Sequence, residues 1–417
     1  MSIIKDETLF ESGELKIAWA EEYMDILNEI KKDFSKNRPF KGLKIALSIH
    51  LEAKTAVLCC VLAEAGAEMY ITGSNPDTTQ DDVAAALVKR GKNYPQKFEV
   101  FAKRYCTDEE YNKNLRRVIE VGPDLIIDDG GDLVHLIHTE FPELAEQVIG
   151  SCEETTTGLM RLRKMAAAGE LKFPVMAVND ADCKHLFDNH HGTGQSVLEG
   201  VMRATNLSVN GKKVVIAGFG DCGSGIAKRF AGMGASVCIT EINPVRALRA
   251  KMEGYEVARM VDAAMEGDIF ITATGCRDII TAQHFSLMKD GAILCNAGHF
   301  NVEIDINVLE EFCTKKRQVR EHVSEYTLPN GNKVKLLAEG RLVNLVAADG
   351  HPVEIMDMSF AIQALSIKYL LEHALLLRHD INAVPDFINK TVAKIKLGAK
   401  EIMYDSLSEI QKEYLGL

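Results

Sequence analysis

Gly218-Phe219-Gly220-Asp221-Cys222-Gly223 stands between the apolar run 212–217 and a segment with helical patterning. In that context the first glycine allows a tight turn, the second lets a pyrophosphate approach the backbone, and the third permits close helix packing while helix amides face the phosphates. The chemistry is dinucleotide binding. Glu241 closes the next strand-like run, eighteen residues beyond Gly223. A carboxylate there accepts both ribose hydroxyls and repels a 2′-phosphate, which predicts NAD over NADP. Arg246 pulls the other way, since a guanidinium can meet a 2′-phosphate. Thr272, Thr274 and Gly275 close a further run, where the nicotinamide half of a dinucleotide normally lies. A second set of reactive side chains ends other apolar runs: His50, the pair Asp128 and Asp129, and the pair Asn179 and Asp180. Taken singly, each is equally a turn former or helix cap.

The runs 43–50, 68–73, 98–102, 124–129 and 173–178 alternate with helix-like segments, the βαβ rhythm of a parallel sheet whose ligands gather at the carboxyl ends of strands. A second series begins at 211, and the chain then enters the strongly apolar helical stretch 355–379, expected to pack back on the first lobe or on another subunit. A chain of 417 residues exceeds one ordinary core, so two α/β lobes and a cleft are expected. The net charge of −12 argues against nucleic acid and for a small-molecule substrate. The start lacks a charged-then-apolar leader and no stretch approaches membrane-spanning length, so a cytoplasmic protein without membrane contact is expected. The ten cysteines form no C-x-x-C pair, and no metal site is expected.

Taken together, DDGGD (128–132), CEETTTG (152–158), VND (178–180), FDN (187–189), GFGDCGSG (218–225), TEINP (240–244), NAGHF (296–300) and RLVNL…GHP (341–352) resemble the S-adenosylhomocysteine hydrolase family in order and over nearly the whole chain. The resemblance implies a tightly held NAD that returns unchanged after each turnover. Oxidising a ribose 3′-hydroxyl acidifies C4′–H, homocysteine leaves from C5′, water adds, and the stored hydride reduces the ketone. It further implies two doubly wound Rossmann-like domains with parallel sheets: a discontinuous substrate domain, 1–180 and 353–385, around an inserted NAD-binding domain, 190–350. The segment 386–417 would serve assembly into a homotetramer or homodimer. By the same resemblance Lys184 and Asp188 handle the 3′-hydroxyl, Glu154 grips the ribose diol, Asn189 supports Lys184, and Asp129 and His50 move protons at C4′ and C5′. His299 and Phe300 match a gate pair; His351 and Met356 match residues bordering the base, although a purely structural role for His351 stays open. Thr155, Thr156, Thr157, Gly218, Gly220, Asp221, Gly223, Glu241, Thr274 and Asn344 match the cofactor contacts. A lysine base needs its pKa lowered by burial or positive charge, which bound NAD⁺ would supply.

Three departures matter. The family's adenine-reading His-x-Thr-x-Glu is here His50-Leu-Glu52-Ala-Lys54. Hypoxanthine offers N1–H to a carboxylate and a 6-oxo group to an ammonium, whereas adenine offers the reverse, so discrimination could reach ~10²-fold. S-inosylhomocysteine is the substrate this implies; the alternative is that Glu52 and Lys54 pair with each other and S-adenosylhomocysteine is hydrolysed. Thr193 replaces a cysteine near the cofactor. The sequence ends at EYLGL where many relatives continue into a Lys/Tyr tail, which predicts weaker NAD retention. A net dehydrogenase and a noncatalytic NAD-binding regulator are the rival classes.

Overall fold

The computed structural model describes residues 1–416 as two α/β lobes, each built on an eight-stranded sheet. In the first, Ile3–Ile4, Phe98–Ala102, Glu68–Thr72, Lys44–Ser48, Leu125–Asp128, Gly150–Glu153, Val175–Ala177 and Ile381–Ala383 lie side by side, all parallel. Alternation along these strands feeds two helical layers. Ile45, Leu47 and Ile127 enter one core, and Ala46, Tyr70 and Ile126 the other, as a sheet covered on both faces requires. Strand order reverses between Lys44–Ser48 and Leu125–Asp128, which opens a crevice at their carboxyl ends.

The second sheet runs Glu256–Val257, Ser236–Thr240, Lys213–Ala217, Ile269–Thr272, Ile293–Asn296, Lys333–Leu337, Val323–Thr327, Lys315–Arg320. It differs from an all-parallel reading at one strand: Val323–Thr327 is antiparallel to both neighbours. The cause is local. Only two residues precede this strand and five follow it, too few for a crossover and enough for hairpins. Asn330-Gly331 turns the second hairpin with Gly331 at φ +87°.

The chain crosses between lobes twice, near 181–193 and 343–353. The first crossing winds into a π-helical turn, His185–Gly192, a geometry that recurs at functional sites. After the second, the helix Val353–His373 returns to the first lobe and buries Phe360, Ile362, Ile367 and Leu370 in its core. Asp357 on this helix accepts from the amides of Ile26 and Leu27 (3.0 and 2.9 Å) and from Lys396 Nζ (3.1 Å). One buried carboxylate thereby caps the helix Asp25–Asn37 and ties down the helix Asp386–Ala399, which itself buries Ile388 and Val392. Beyond that helix, Met403, Ile410 and Tyr414 are exposed.

Candidate functional site

The cofactor cradle is built by steric demand. Gly218 turns at φ +95°, and a Cβ there would lie 2.7 Å from the Ala273 carbonyl oxygen; a Cβ on Gly223 would strike the Gly218 carbonyl. The helix Asp221–Gly232 starts at Gly220 with no side-chain cap, so its first amides are free to meet an anion. Glu241 closes the rim, accepting from the amides of Phe219 and Asn243, both at 2.8 Å. The Asp221 carboxylate faces His185 Nδ1 at 3.3 Å, on the interlobe turn. Thr274 and Gly275 wrap around Glu303, which takes Thr274 Oγ1 at 2.7 Å and the Gly275 amide at 2.8 Å.

From the first lobe, Thr155–Thr157 opens the helix Thr156–Ala167 against this cradle; a Cβ on Gly275 would sit 3.6 Å from the Thr157 methyl. Thr157 Oγ1 and Asn344 Oδ1 are buried without a partner. Uncapped amides that can donate to phosphates, glycines whose place a Cβ would fill, and an unpartnered hydroxyl (Thr157) and amide oxygen (Asn344) that can meet ribose or carboxamide groups suit a dinucleotide, so the residues fit NAD.

Lys184, Asp188 and Asn189 stand on the π-helical crossing, all buried. Lys184 Nζ donates to Asn189 Oδ1 at 2.7 Å and lies 3.3 Å from Asp188 and 3.6 Å from Glu154. Asn189 is oriented by Asn179 Oδ1 at 3.0 Å. Burial works against the Lys184 ammonium, yet Asp188 and Glu154 outweigh it and hold the group protonated above the usual lysine range. A lowered lysine pKa is therefore not supplied by the protein groups, whose two carboxylates shift it in the opposite direction. Burial likewise opposes charge on Asp188, but Lys184 and His351 hold its carboxyl well below the usual range. Glu154 is pushed by burial up to about 7, against the pull of Lys184.

Across the cavity, His50 Nε2 lies 3.5 Å from Asp129 Oδ2 and His299 Nδ1 lies 3.7 Å from Asp129 Oδ1. Ser74 donates to Asp129 at 3.0 Å, and Thr78 holds His50 Nδ1 at 2.7 Å. Burial pulls the His50 imidazole down to about 4, with Asp129 opposing, so the ring is neutral and able to take a proton. Phe300 packs edge-on against His299 (4.7 Å between centroids), is partly exposed and does not line the cavity.

Glu52 and Lys54 are both buried and pair at 3.0 Å. Glu52 also caps the helix Ala53–Glu64 through the Lys54 and Thr55 amides, while Lys54 Nζ donates to the Asp349 carbonyl at 2.9 Å. His351 lies on the same cavity wall with its Nδ1 2.7 Å from Asp188 Oδ1.

One cavity is lined by all six candidate catalytic residues, His50, Asp129, Glu154, Lys184, Asp188 and Asn189, together with Glu52, Lys54, His299, His351, Met356, Thr155, Thr156 and Asn344. The sequence reading missed a supporting layer. Ser359 donates to Asp188 at 2.7 Å and Gln363 to Glu154 at 2.5 Å. Ser359 and Gln363, two polar residues four apart on the buried face of a largely apolar helix, were the available signal. Glu153 entered only as part of CEETTTG, and Glu303 carried no signal that distinguishes it from surface acids.

Two family models match the chain: S-adenosyl-L-homocysteine hydrolase over residues 2–143 and the S-adenosyl-L-homocysteine hydrolase NAD binding domain over residues 189–350. An S-inosyl-L-homocysteine hydrolase of Methanococcus maripaludis is 52% identical over 415 residues, covering 100% of this chain and 98% of that protein. An adenosylhomocysteinase of Archaeoglobus fulgidus is 56% identical over 403 residues, covering 97% and 98%. An S-inosyl-L-homocysteine hydrolase of Methanocaldococcus jannaschii is 52% identical over 412 residues, covering 99% and 98%.

Proposed function

The chain belongs to the S-adenosyl-L-homocysteine hydrolase family, and within it we propose a hydrolase that prefers S-inosyl-L-homocysteine. It uses NAD, which when bound supplies reversible hydride removal at the ribose C3′. Lys184 and Asp188 manage the 3′-hydroxyl proton, with Asn189 holding the Lys184 ammonium in place. Glu154, anchored by Gln363, accepts from the ribose diol. Asp129 and His50, 3.5 Å apart, take and return the protons at C4′ and C5′ as homocysteine leaves and water adds. His299 and Phe300 close the mouth and keep bulk water from the ketone stage. Residues 1–180 with 353–385 form the substrate lobe and 190–350 the cofactor lobe. Residues 386–417 serve assembly of a homotetramer or homodimer, with Met403, Ile410 and Tyr414 as exposed apolar contacts.

The base preference rests on one observation: an acceptor and a donor, Glu52 and Lys54, stand side by side at 3.0 Å on the cavity wall. That is the arrangement a lactam, with N1–H beside a 6-oxo group, can engage in full. Adenine would oppose its amino group to the ammonium and its N1 to the carboxylate. A second reading, S-adenosyl-L-homocysteine as substrate, is favoured by the mutual pairing of the two side chains and by their helix-cap and Asp349 contacts, which leave both satisfied without a base. The test is hydrolysis of matched inosyl and adenosyl compounds by the NAD-loaded protein, with homocysteine trapped by a thiol reagent. Faster inosyl turnover, inverted by Glu52→Thr with Lys54→Glu, is the expected outcome; faster adenosyl turnover by the parent protein sinks the preference.

A further inference from the structure

Two acids flank the turn where a dinucleotide's pyrophosphate approaches the backbone. Asp221 directly follows Gly220, and Glu241 holds the amide of Phe219 just before it. A diphosphate brought there carries about two negative charges, and the open amides at the start of the helix Asp221–Gly232 offset only part of them. The residues matched to the cofactor contacts are threonines, glycines, Asn344 and these two acids, and they include no cation.

Arg246 stands where one is needed. It lies in the first turn of the helix Pro244–Met252, whose N-terminus is closed by its own chain: Asn243 Oδ1 accepts from the amides of Val245 and Arg246 at 2.9 and 3.2 Å. That helix spends its first amides on a cap, whereas Asp221–Gly232 keeps its own open. The Arg246 side chain is exposed, and among the described residues its guanidinium pairs with no carboxylate. Glu241, five residues earlier, turns its two oxygens to the amides of Phe219 and Asn243 instead. Arg249, on the same helix, is taken by Glu253 at 2.7 Å. What Arg246 does approach is the space over Gly220. Beyond that glycine's chain neighbours and the helix it opens, a Cβ placed on it would find one atom within 4 Å among the described residues, Arg246 Nη1 at 3.8 Å.

We propose that Arg246 binds the pyrophosphate of the cofactor. The missing Cβ of Gly220 leaves the room, the uncapped helix provides N–H donors, and Arg246 provides positive charge with a planar fork that suits two phosphate oxygens. This gives the guanidinium a task other than selecting NADP. A reader of the 2′-phosphate belongs beside the ribose that Glu241 addresses, and this guanidinium lies over the pyrophosphate glycine.

The test follows the cofactor rather than turnover. Protein loaded with radiolabelled NAD is chased with excess unlabelled NAD, and release is timed for the parent, Arg246→Gln and Arg246→Lys at several salt concentrations. Equilibrium displacement of the label by graded NAD or NADP gives their relative affinity. Loss of one charge-assisted contact is expected to speed release from Arg246→Gln roughly tenfold and to flatten its salt dependence. Arg246→Lys, which keeps the charge without the fork, should fall between the two. NAD and NADP should weaken together, their ratio staying within about twofold of the parent's. Unchanged release from Arg246→Gln overturns the proposal and leaves Arg246 a solvated surface residue. Weakening confined to NADP also overturns it, because the guanidinium then reads the 2′-phosphate. If both variants release NAD equally fast with the parent's salt dependence, lost packing rather than lost charge is responsible, and the proposal falls.

Discussion

Arg341 of the second lobe and Asp77 of the first are joined across the cleft, Nε to Oδ2 at 2.7 Å. Asp77 is half-buried; burial raises its carboxyl, and Arg341 pulls it back down. An ion pair between lobes stabilises the interlobe arrangement that permits it. Replacing Arg341 by Gln should leave Asp77 short of its partner and favour opening by about 1 kcal/mol, roughly fivefold in the closed-to-open ratio. Small-angle scattering of the NAD-loaded protein should show a larger radius of gyration for Arg341→Gln, contracting on addition of nucleoside. Identical profiles for the two proteins would mean the pair does not act as a latch.

Glu153 supports both halves of the site without entering it. Its Oε1 accepts from the Gly130 amide at 2.9 Å, beside Asp129, and from the Thr155 amide at 3.0 Å, at the cofactor rim; Oε2 has no partner. Burial first, then the charges of Asp128 and Asp129, raise its carboxyl well above the ordinary range. An acid raised in the folded state stays protonated where the unfolded chain ionises, so wild-type stability falls as pH climbs above the unfolded value of 4.5. Glu153→Gln should escape that loss, and its stability advantage in urea unfolding should widen from pH 5 to pH 8. Parallel curves would show that Glu153 is ionised in the fold. Glu153→Ala, which strands two amides, should be less stable than wild type by about 2–5 kcal/mol.

The first sheet was legible wherever both faces of a strand are covered, because runs such as Ile45–Leu47 and Leu125–Ile127 then have to be apolar throughout. Gly150–Glu153 escaped notice because its buried Ser151 and Glu153 break the apolar pattern, and Glu153 is satisfied by loop amides rather than by burial against carbon. Lys315–Arg320 was hidden for the opposite reason. It is an exposed edge strand whose Arg317 pairs with Glu325 on Val323–Thr327, and charge is what edges carry. The candidate reacting residues were proposed from motifs, and one cavity collects them. Their orientation was not: His351 turns to Asp188 instead of the base pair Glu52–Lys54, a matter of interlobe packing that no local pattern encodes.

His50 should leave its mark on acid stability. Burial depresses its imidazole from 6.5 to about 4, so between those values the unfolded chain binds a proton that the folded chain refuses. The stability linked to His50 is complete above pH 6.5 and drains away as pH falls toward 4, by up to about 3 kcal/mol. Asp128 and Glu154, each raised to about 7 by burial, impose the opposite slope, losing stability as pH rises from their ordinary values toward neutrality. A single pH–stability curve would therefore blur the two effects, and the difference between wild type and His50→Gln separates them because both carboxyls titrate in both proteins. Relative to wild type, His50→Gln should gain stability on going from pH 7 to pH 4.5 and lose nearly all hydrolysis at every pH. If the difference curve is flat over that interval, His50 titrates in the folded chain as it does in the unfolded one, and burial does not keep the ring neutral in acid.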